Sequence, residues 1–379
     1  MTTARSLNLA IIGSRGFPST YGGYETLVRH LARDWVALGH EVSVYCRTRD
    51  ARRREWFSDG VRCIWTPGWD THNLSTLSHG ATAHLDASFR HYDAALVLNV
   101  ANGFYLPLLR ARGIPTAVNT DGLEWQRANW GTTARSVFRA GAAITARYAD
   151  VLVADSLAMA AVWRWLFQAE SIFVPYGAPV VEAVGSDRVE ALGLCPRGYV
   201  LVAARLIPEN NVELVLDAID LMRERPQMVV VGGATTRAPI EARLRAGDRA
   251  GRLRWLGHVH DQVLLTQLWA NAGVYVHGHS VGGTNPGLLQ ALGAGAPTLV
   301  LDTPFNREVV RSDEQVFAAR ADQLARKIEE VLSEASVRDR FSVHGQAVVR
   351  EHYDWSDVSA RYLEALLEAC RRLVARTGA

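Results

Sequence analysis

The sequence is poor in cysteine and almost free of lysine. Its four cysteines have no C-x-x-C spacing, so we predict neither a disulfide framework nor a metal site and expect a reduced, cytoplasmic protein. Lys327 is the single lysine, so arginine carries nearly all the positive charge. There is no run of 18 apolar residues, and the N-terminus leads directly into a strand pattern, which argues against a membrane span and a signal peptide.

Net charge is also small. The 379 residues carry 41 Lys plus Arg and 39 Asp plus Glu, which gives +2 at pH 7. Residues 1–150 contain 17 Arg and 12 acidic residues, a net +5, and the remainder contains 24 basic and 27 acidic residues, a net −3. The imbalance is too weak for a nucleic-acid-binding protein. It is compatible with an anionic ligand or surface.

Continuous apolar runs alternate with amphipathic segments along the whole chain, and 48% of the residues are hydrophobic. This pattern predicts an α/β fold with two doubly wound parallel-sheet domains. A segment punctuated by Pro and Gly, 174–182, predicts the boundary between them. The predicted strands are 7–12, 41–46, 93–100, 114–120, 150–156, 198–206, 227–233, 252–259, 273–279 and 298–301.

The first strand leads into the glycine-rich loop GSRGFPSTYGGYE. This loop does not match the G-x-G-x-x-G dinucleotide pattern, and the second strand ends at Arg47, where an NAD site needs an acidic residue. An NADP-type site is the less favoured alternative. We interpret Gly22 and Gly23, which precede a helix, as a backbone surface against which a ligand rests.

A strand, a glycine-rich turn and the start of a helix follow one another within YVHGHSVGGTNPGLLQALGAGAP, residues 275–297. The free amides and dipole of a helix N-terminus favour phosphate, so Gly283, Thr284 and Asn285 are candidate anion-binding residues. The alternative is ordinary tight-turn chemistry. Arg205, at the end of another predicted strand, would add a cation beside the start of the helix headed by Asn210 and Asn211, a place suited to a diphosphate.

The segment NTDGLEWQRANW, residues 119–130, is the second candidate site. Asp121 and Glu124 are candidate carboxylates, Arg127 is a candidate anion clamp, and Trp125 is a flat platform for a sugar ring. A purely structural interpretation is an Asp-Gly turn that caps a helix in which Glu124 and Arg127 pair.

Six segments in collinear order resemble one protein family. They are Gly13–Thr26, Asp121–Arg127, Ala204–Asn211, Val281–Leu289, Phe305–Glu308 and Tyr353–Trp355. With them the chain resembles a retaining family-4 glycosyltransferase of the GT-B type, and it is most similar to bacterial rhamnosyltransferases with an N-terminal GSRGxPxxYGGxET signature. The resemblance implies an acceptor-binding domain over 1–176, a nucleotide-sugar-binding domain over 177–350, a cleft between them, and a helix over 351–379 that returns to the first domain.

The resemblance also implies roles for individual residues. We expect catalytic roles for Asp121 and Arg205; donor-binding roles for Gly22, Gly23, Arg205, Asn210, Gly283, Thr284, Asn285, Gln290 and Arg307; and acceptor-binding roles for Tyr21, Tyr24, Glu124, Trp125 and Arg127. Three positions depart from the common family pattern, because Gly282 and Gln290 stand where two glutamates are usual and Asn210 stands where a lysine is usual.

The implied reaction is transfer of a deoxyhexose, rhamnose from dTDP-rhamnose, to a saccharide hydroxyl with retention, without a cofactor or metal. A non-catalytic sugar-nucleotide-binding partner protein and a nucleotide-sugar epimerase of similar fold are the alternatives. Two groups of arginines suggest contact with an anionic inner membrane surface. One is at 52–54, beside Trp56 and Phe57, and the other is at 135, 139 and 147. Solvated surface arginines explain the same pattern.

Overall fold

The computed structural model describes residues 5–18, 23–48, 53–69, 75–120, 131–233 and 239–377. These residues form two compact units. The first contains the residues up to Tyr176 together with those from Trp355 onward, and the second contains Gly177–Asp354.

Each unit is built on one sheet. The strands within the described ranges are β1 (Asn8–Ile12), β2 (Glu41–Cys46), β3 (Glu55–Ser58), β4 (Val61–Trp65), β5 (Ala94–Leu98), β6 (Thr116–Asn119), β7 (Val151–Ala154), β8 (Ile172–Phe173), β9 (Tyr199–Ala203), β10 (Gln227–Val231), β11 (Arg254–Gly257), β12 (Val274–His277), β13 (Thr298–Leu301) and β14 (Val316–Phe317). The first sheet has the order β3-β4-β2-β1-β5-β6-β7-β8 and the second has the order β11-β10-β9-β12-β13-β14. All pairs are parallel except β3 with β4.

Helices connect the strands in both units. Those in the described ranges are α1 (Gly23–Ala37), α2 (Ser75–Ser88), α3 (Leu106–Ala111), α4 (Thr132–Tyr148), α5 (Leu157–Phe167), α6 (Asp187–Ala191), α7 (Val212–Leu221), α8 (Pro239–Arg249), α9 (Gln262–Ala270), α10 (Pro286–Gly293), α11 (Pro304–Val310), α12 (Ala321–Ser333), α13 (Ala335–His352) and α14 (Trp355–Thr377). Short 3-10 turns cover Val100–Tyr105, Pro208–Asn210 and Asp313–Gln315. None of these helices combines the length and apolar character needed to span a lipid bilayer.

The predicted fold class of two doubly wound parallel α/β domains is confirmed. The strands predicted from continuous apolar runs are present because those residues are buried on both faces of the sheets, as in β5, where every residue is buried. The hairpin β3–β4 lies outside the predicted strands. Its turn is formed by Asp59 and Gly60, both with positive φ (49° and 77°).

Helix α14 belongs to the first unit, where it packs on α1 and on β5, β6 and β7. Trp35 on α1 donates its indole N–H to the Ser359 carbonyl at 3.2 Å, and Asn119 at the end of β6 donates to the Tyr362 hydroxyl. The rings of His30 and Trp355 stack with centroids 4.0 Å apart. Side-chain packing and hydrogen bonds therefore hold α14 to the sheet.

Candidate functional site

The predicted turn before α10 is present in the second unit. Strand β12 ends at His277 and α10 begins at Pro286, with Asn285 as its N-cap residue. The Asn285 side-chain oxygen accepts from the Gly287 N–H at 2.9 Å, and Gly282 has a φ of 125° that strongly favours glycine. The chain therefore reaches α10 through a glycine turn and a capped helix N-terminus, the arrangement that the sequence predicts for an anion site.

Arg205 follows β9, which is the neighbour of β12 in the sheet, so the two loops share one sheet edge. Asn210 joins them, because its side-chain amide donates to the Arg205 carbonyl at 2.7 Å and its Oδ1 lies 2.5 Å from Nδ1 of His279. An amide oxygen can only accept, so Nδ1 of His279 carries the proton in this bond. Asn210 is buried, and its polar atoms serve to hold the loops.

Two further contacts fix the same edge. Asn211 donates its side-chain amide to the Gly278 carbonyl at 2.8 Å, and the Ser280 backbone N–H donates to the Glu209 carbonyl at 2.9 Å. The loop after β9 and the loop after β12 are thus tied by both side-chain and backbone hydrogen bonds. Such ties keep a binding loop in place before a ligand arrives.

A pocket of about 190 Å³ lies at this edge. Arg205 and Asn285 both line it, so the structure brings the predicted cation and the predicted helix cap together. Its lining residues are Ala203, Ala204, Arg205, Asn210, Tyr275, Val276, His277, Gly278, His279 and Asn285. Arg205 is exposed, which leaves its guanidinium accessible to a ligand.

His277 and His279 are site residues that the sequence reasoning missed. His277 is buried, its Nδ1 lies 3.0 Å from the Tyr275 hydroxyl, and its Nε2 has no hydrogen-bond partner among the described residues. Burial, with a smaller effect from His279, lowers the pKa of His277 to about 3, so it is neutral at pH 7. The missed signal was the H-x-H spacing at the end of an apolar run, since residues two apart on a strand lie on one face.

The remaining predicted donor residues divide into two groups. Gly283 and Thr284 lie in the turn itself, whereas Gln290 lies further along α10 and does not line the pocket. Arg307 also lies outside the lining. Its guanidinium donates to Asp302 at 2.6 and 3.0 Å and to Asp313 at 2.5 Å, and these carboxylates, Asp302 first, raise its pKa above the usual value. A diphosphate contact by Arg307 would require these ion pairs to open.

Residues predicted for the acceptor fall mostly outside the described ranges. Tyr21, Gly22, Asp121, Glu124, Trp125 and Arg127 lie outside the described residues, so their roles stay predictions. Gly23 is the first residue of α1, and Tyr24 follows it as a half-buried side chain. Within the described ranges, no group of three or more His, Cys, Asp and Glu side chains is placed to hold a metal ion.

Solved structures share this fold over nearly the whole chain. Anabaena HepE in complex with UDP matches with a TM-score of 0.75 at 15% identity, covering 95% of this chain and 99% of that one. Sucrose-phosphate synthase from Thermosynechococcus elongatus matches with a TM-score of 0.80 at 18% identity, covering 95% and 98%. At these identities the similarity establishes the fold.

Two family models match the sequence and give the family. A phosphatidyl-myo-inositol mannosyltransferase from Mycolicibacterium smegmatis is 26% identical over 211 residues, so the match spans only 53% of this chain and 53% of that relative. Residues 22–177 match the model of a glycosyl transferase 4-like domain, and residues 196–348 match the model of glycosyl transferases group 1. Each unit thus corresponds to one of the two models, and the chain belongs to the family-4 glycosyltransferases of the GT-B type.

Proposed function

We propose that this protein transfers a hexosyl group from a nucleoside-diphosphate sugar to a hydroxyl group of a saccharide. The observation that carries the proposal is the single pocket wall shared by Arg205 and the α10 N-cap Asn285. Anabaena HepE, which shares the fold, has been solved with UDP and with UDP-glucose. That neighbour supports a nucleotide donor for this chain.

In the proposed reaction, negative charge develops on the leaving diphosphate as the glycosidic bond breaks, and positive charge must lie opposite it. The Arg205 guanidinium and the amides of the 283–285 turn supply it from fixed positions, which is the most effective form of electrostatic stabilisation. These groups neutralise the diphosphate without a metal ion. The acceptor hydroxyl attacks from the face that the diphosphate leaves, which retains the configuration, and its proton passes to the leaving phosphate oxygen or to Asp121, so a pair of flanking carboxylates is not needed.

Rhamnose from dTDP-rhamnose is the proposed donor, and the support for it is the N-terminal GSRGFPSTYGGYET segment. Thermal-shift measurements with dTDP, UDP and GDP and their sugars test the nucleotide, because a ligand that binds the native state alone raises its stability. We expect the largest rise with dTDP and dTDP-rhamnose. A larger rise with UDP-glucose would replace the proposed donor.

We propose Asp121 as the base or the group that orients the acceptor. The Asp121→Asn variant removes the charge and keeps the shape of the side chain. We expect slower turnover with donor affinity unchanged, measured by product formation and by nucleotide titration. Full turnover with unchanged acceptor affinity would remove this role from Asp121.

A non-catalytic sugar-nucleotide-binding protein is the second candidate. Asn210 stands in place of a family lysine, and its polar atoms are engaged by the Arg205 carbonyl and His279, so it adds no charge to the pocket. Gln290 likewise replaces a carboxylate. Donor binding with neither sugar release nor transfer across an acceptor panel would favour this candidate over the enzyme.

The acceptor is proposed to be lipid-linked, with the first unit touching an anionic membrane surface. Phe57 and Phe89 are 74% and 76% exposed, and arginines lie near them in the sequence, although Arg54 pairs with Asp86 at 2.5 Å. Flotation with vesicles of phosphatidylcholine alone and with vesicles that also contain phosphatidylglycerol, at low and high salt, tests the contact. Absence of salt-sensitive binding would remove the membrane role.

A further inference from the structure

A second pocket lies in the first unit, at the carboxyl ends of β1, β2 and β4. It has a volume of about 340 Å³. None of the residues that line it is among the predicted site residues. They are Arg15, Arg47, Thr48, Gly68, Trp69, Ser75 and His79.

Two arginines enter this pocket from neighbouring strands. Arg15 follows β1 and Arg47 follows β2, and the Arg47 backbone N–H donates to the Arg15 carbonyl at 3.0 Å, which sets the two segments side by side. The Arg47 guanidinium donates to the hydroxyls of Ser75 at 3.5 Å and Thr76 at 3.4 Å. Among the described residues that line the pocket, two carry guanidinium groups and none carries a carboxylate. Glu25 is close by, but its carboxylate accepts the Arg15 backbone N–H at 3.2 Å.

His79 adds a buried polar group to the same wall. It is 1% exposed, and neither ring nitrogen meets the geometry of a hydrogen bond to any described residue. Burial first and then the charge of Arg47 lower its pKa to about 4, partly opposed by the Cys46 backbone. The neutral ring carries one N–H, which can donate to an anion in the pocket.

Trp69 supplies a different kind of surface. Trp69 is 67% exposed. Its backbone N–H donates to the Ser78 hydroxyl at 2.8 Å, which ties the chain around Trp69 to α2. An added Cβ at Gly68 would lie 2.9 Å from the His79 Cβ, so only glycine lets the chain run this close to the imidazole. The indole therefore stands beside the cationic wall, where an amphipathic ring can pack on it.

We propose that this pocket binds a phosphorylated saccharide, with its phosphate held by Arg15, Arg47 and His79 and its sugar ring packed against Trp69. Planar guanidinium groups suit phosphate oxygens, and hydroxyls of Ser75 and Thr48 can complete the contacts. That this saccharide is the acceptor rests on the proposed function. The proposal that the pocket binds a phosphorylated saccharide does not depend on that function.

The test is isothermal titration of the full chain with inorganic phosphate, glucose 1-phosphate, farnesyl-diphosphate-linked N-acetylglucosamine and methyl glucoside. We expect Arg47→Gln to weaken binding of the three phosphate-bearing probes about tenfold or more, the size of one lost charge-assisted contact. Trp69→Ala should weaken the two saccharide phosphates severalfold and leave inorganic phosphate unchanged. Arg5→Gln, an exposed arginine near the start of β1, is the matched control and should change nothing.

Three results would overturn the site. The first is an Arg47→Gln variant that binds phosphate as tightly as the wild type. The second is loss of phosphate binding in Arg205→Gln instead. The third is a Trp69→Ala variant in which the affinities for inorganic phosphate and glucose 1-phosphate fall equally. Trp69 is exposed, so this variant keeps the test valid if Arg47→Gln fails to fold. A preference for the farnesyl-linked probe over glucose 1-phosphate identifies a lipid-linked source, and the reverse order identifies a free sugar phosphate.

Transfer assays then separate the site from the reaction. If Arg47→Gln loses phosphate binding and the wild type transfers no sugar to any acceptor, the pocket stands and the proposed function fails. If Arg47→Gln transfers sugar with an unchanged acceptor KM, the acceptor assignment of the pocket is overturned.

Discussion

Nδ1 of His279 lies 2.5 Å from Oδ1 of Asn210, and this contact links the loop after β12 to the loop after β9. Asn210 also donates to the Arg205 carbonyl at 2.7 Å. It therefore acts as a positioning residue for Arg205 and His279, at a place where the family pattern has a lysine. In the pocket that Arg205 and Asn285 line, the proposed donor pocket, a polar tie between two loops therefore stands where the family has a charge.

Asn210→Ala removes both bonds of this tie. We expect about tenfold weaker binding of the preferred nucleoside diphosphate, because buried polar groups lose their partners and Arg205 is less well placed. Titration calorimetry measures the Kd. Gln262→Ala, which removes an exposed amide at the start of α9, should leave the Kd unchanged. Unchanged affinity in a folded Asn210→Ala variant would contradict the positioning role.

Arg205→Gln removes the cation of the proposed donor pocket. We expect diphosphate affinity to fall about tenfold to a hundredfold and kcat to fall further, because charge on the leaving group grows in the transition state. Product assays and nucleotide titration measure the two effects. Arg243, whose guanidinium is bound by Asp217 and Asp220 on α7, provides the control variant Arg243→Gln. Equal losses in both variants would point to a general charge effect.

Gln290→Glu restores the carboxylate that the family usually has on α10. A carboxylate accepts a stronger hydrogen bond from a ribose hydroxyl than an amide does, by roughly 1 kcal/mol. We expect about fivefold tighter binding of the nucleoside diphosphate, measured as Kd by calorimetry. Gln262→Glu, at an exposed glutamine at the start of α9, is the control. Weaker binding in Gln290→Glu would show that the amide donates to the ligand.

Stability should fall on acidification from pH 8 to pH 5.5. Burial lowers the pKa of His84 to about 4 and that of His277 to about 3, below the ordinary value of 6.5. Between pH 6.5 and 4 the unfolded chain therefore binds protons that the folded chain does not, which costs roughly 1 kcal/mol for each histidine at pH 5.5.

Urea unfolding at the two pH values measures this loss of stability. His84 Nδ1 lies 2.7 Å from the Gly80 carbonyl, and His84→Asn keeps a donor for that carbonyl while removing the titration. The variant should lose less stability than the wild type between pH 8 and 5.5. His91→Asn, at an exposed position, should behave like the wild type. An unaltered pH dependence in His84→Asn would mean that His84 does not carry it.

The strands that continuous apolar runs mark could be predicted from the sequence, because burial on both faces leaves few polar residues in them. The hairpin β3–β4 could not be predicted this way. Its strands carry Glu55 and Arg62, which are paired at 2.5 Å, so charge interrupts the apolar pattern. The Asp59-Gly60 turn was the usable signal, since this dipeptide favours a tight hairpin.

The candidate site in the second unit was likewise predictable only in part. Arg205 and Asn285 could be predicted because a strand, a loop and a helix cap follow in order along the chain. The engagement of Asn210 with His279 could not, since the residues are 69 positions apart and meet only when β9 and β12 pair. The ion pairs of Arg307 with Asp302 and Asp313 depend likewise on the loop geometry at the end of β13.

Because α14 packs on β5, β6 and β7, the first unit is assembled from two distant stretches of the polypeptide. On the ribosome, residues 177–354 are synthesised as one uninterrupted block. The earlier-synthesised unit must wait with part of its sheet uncovered until the residues from Trp355 onward arrive. The cover of the first sheet is therefore completed only after the whole of the second unit has been synthesised.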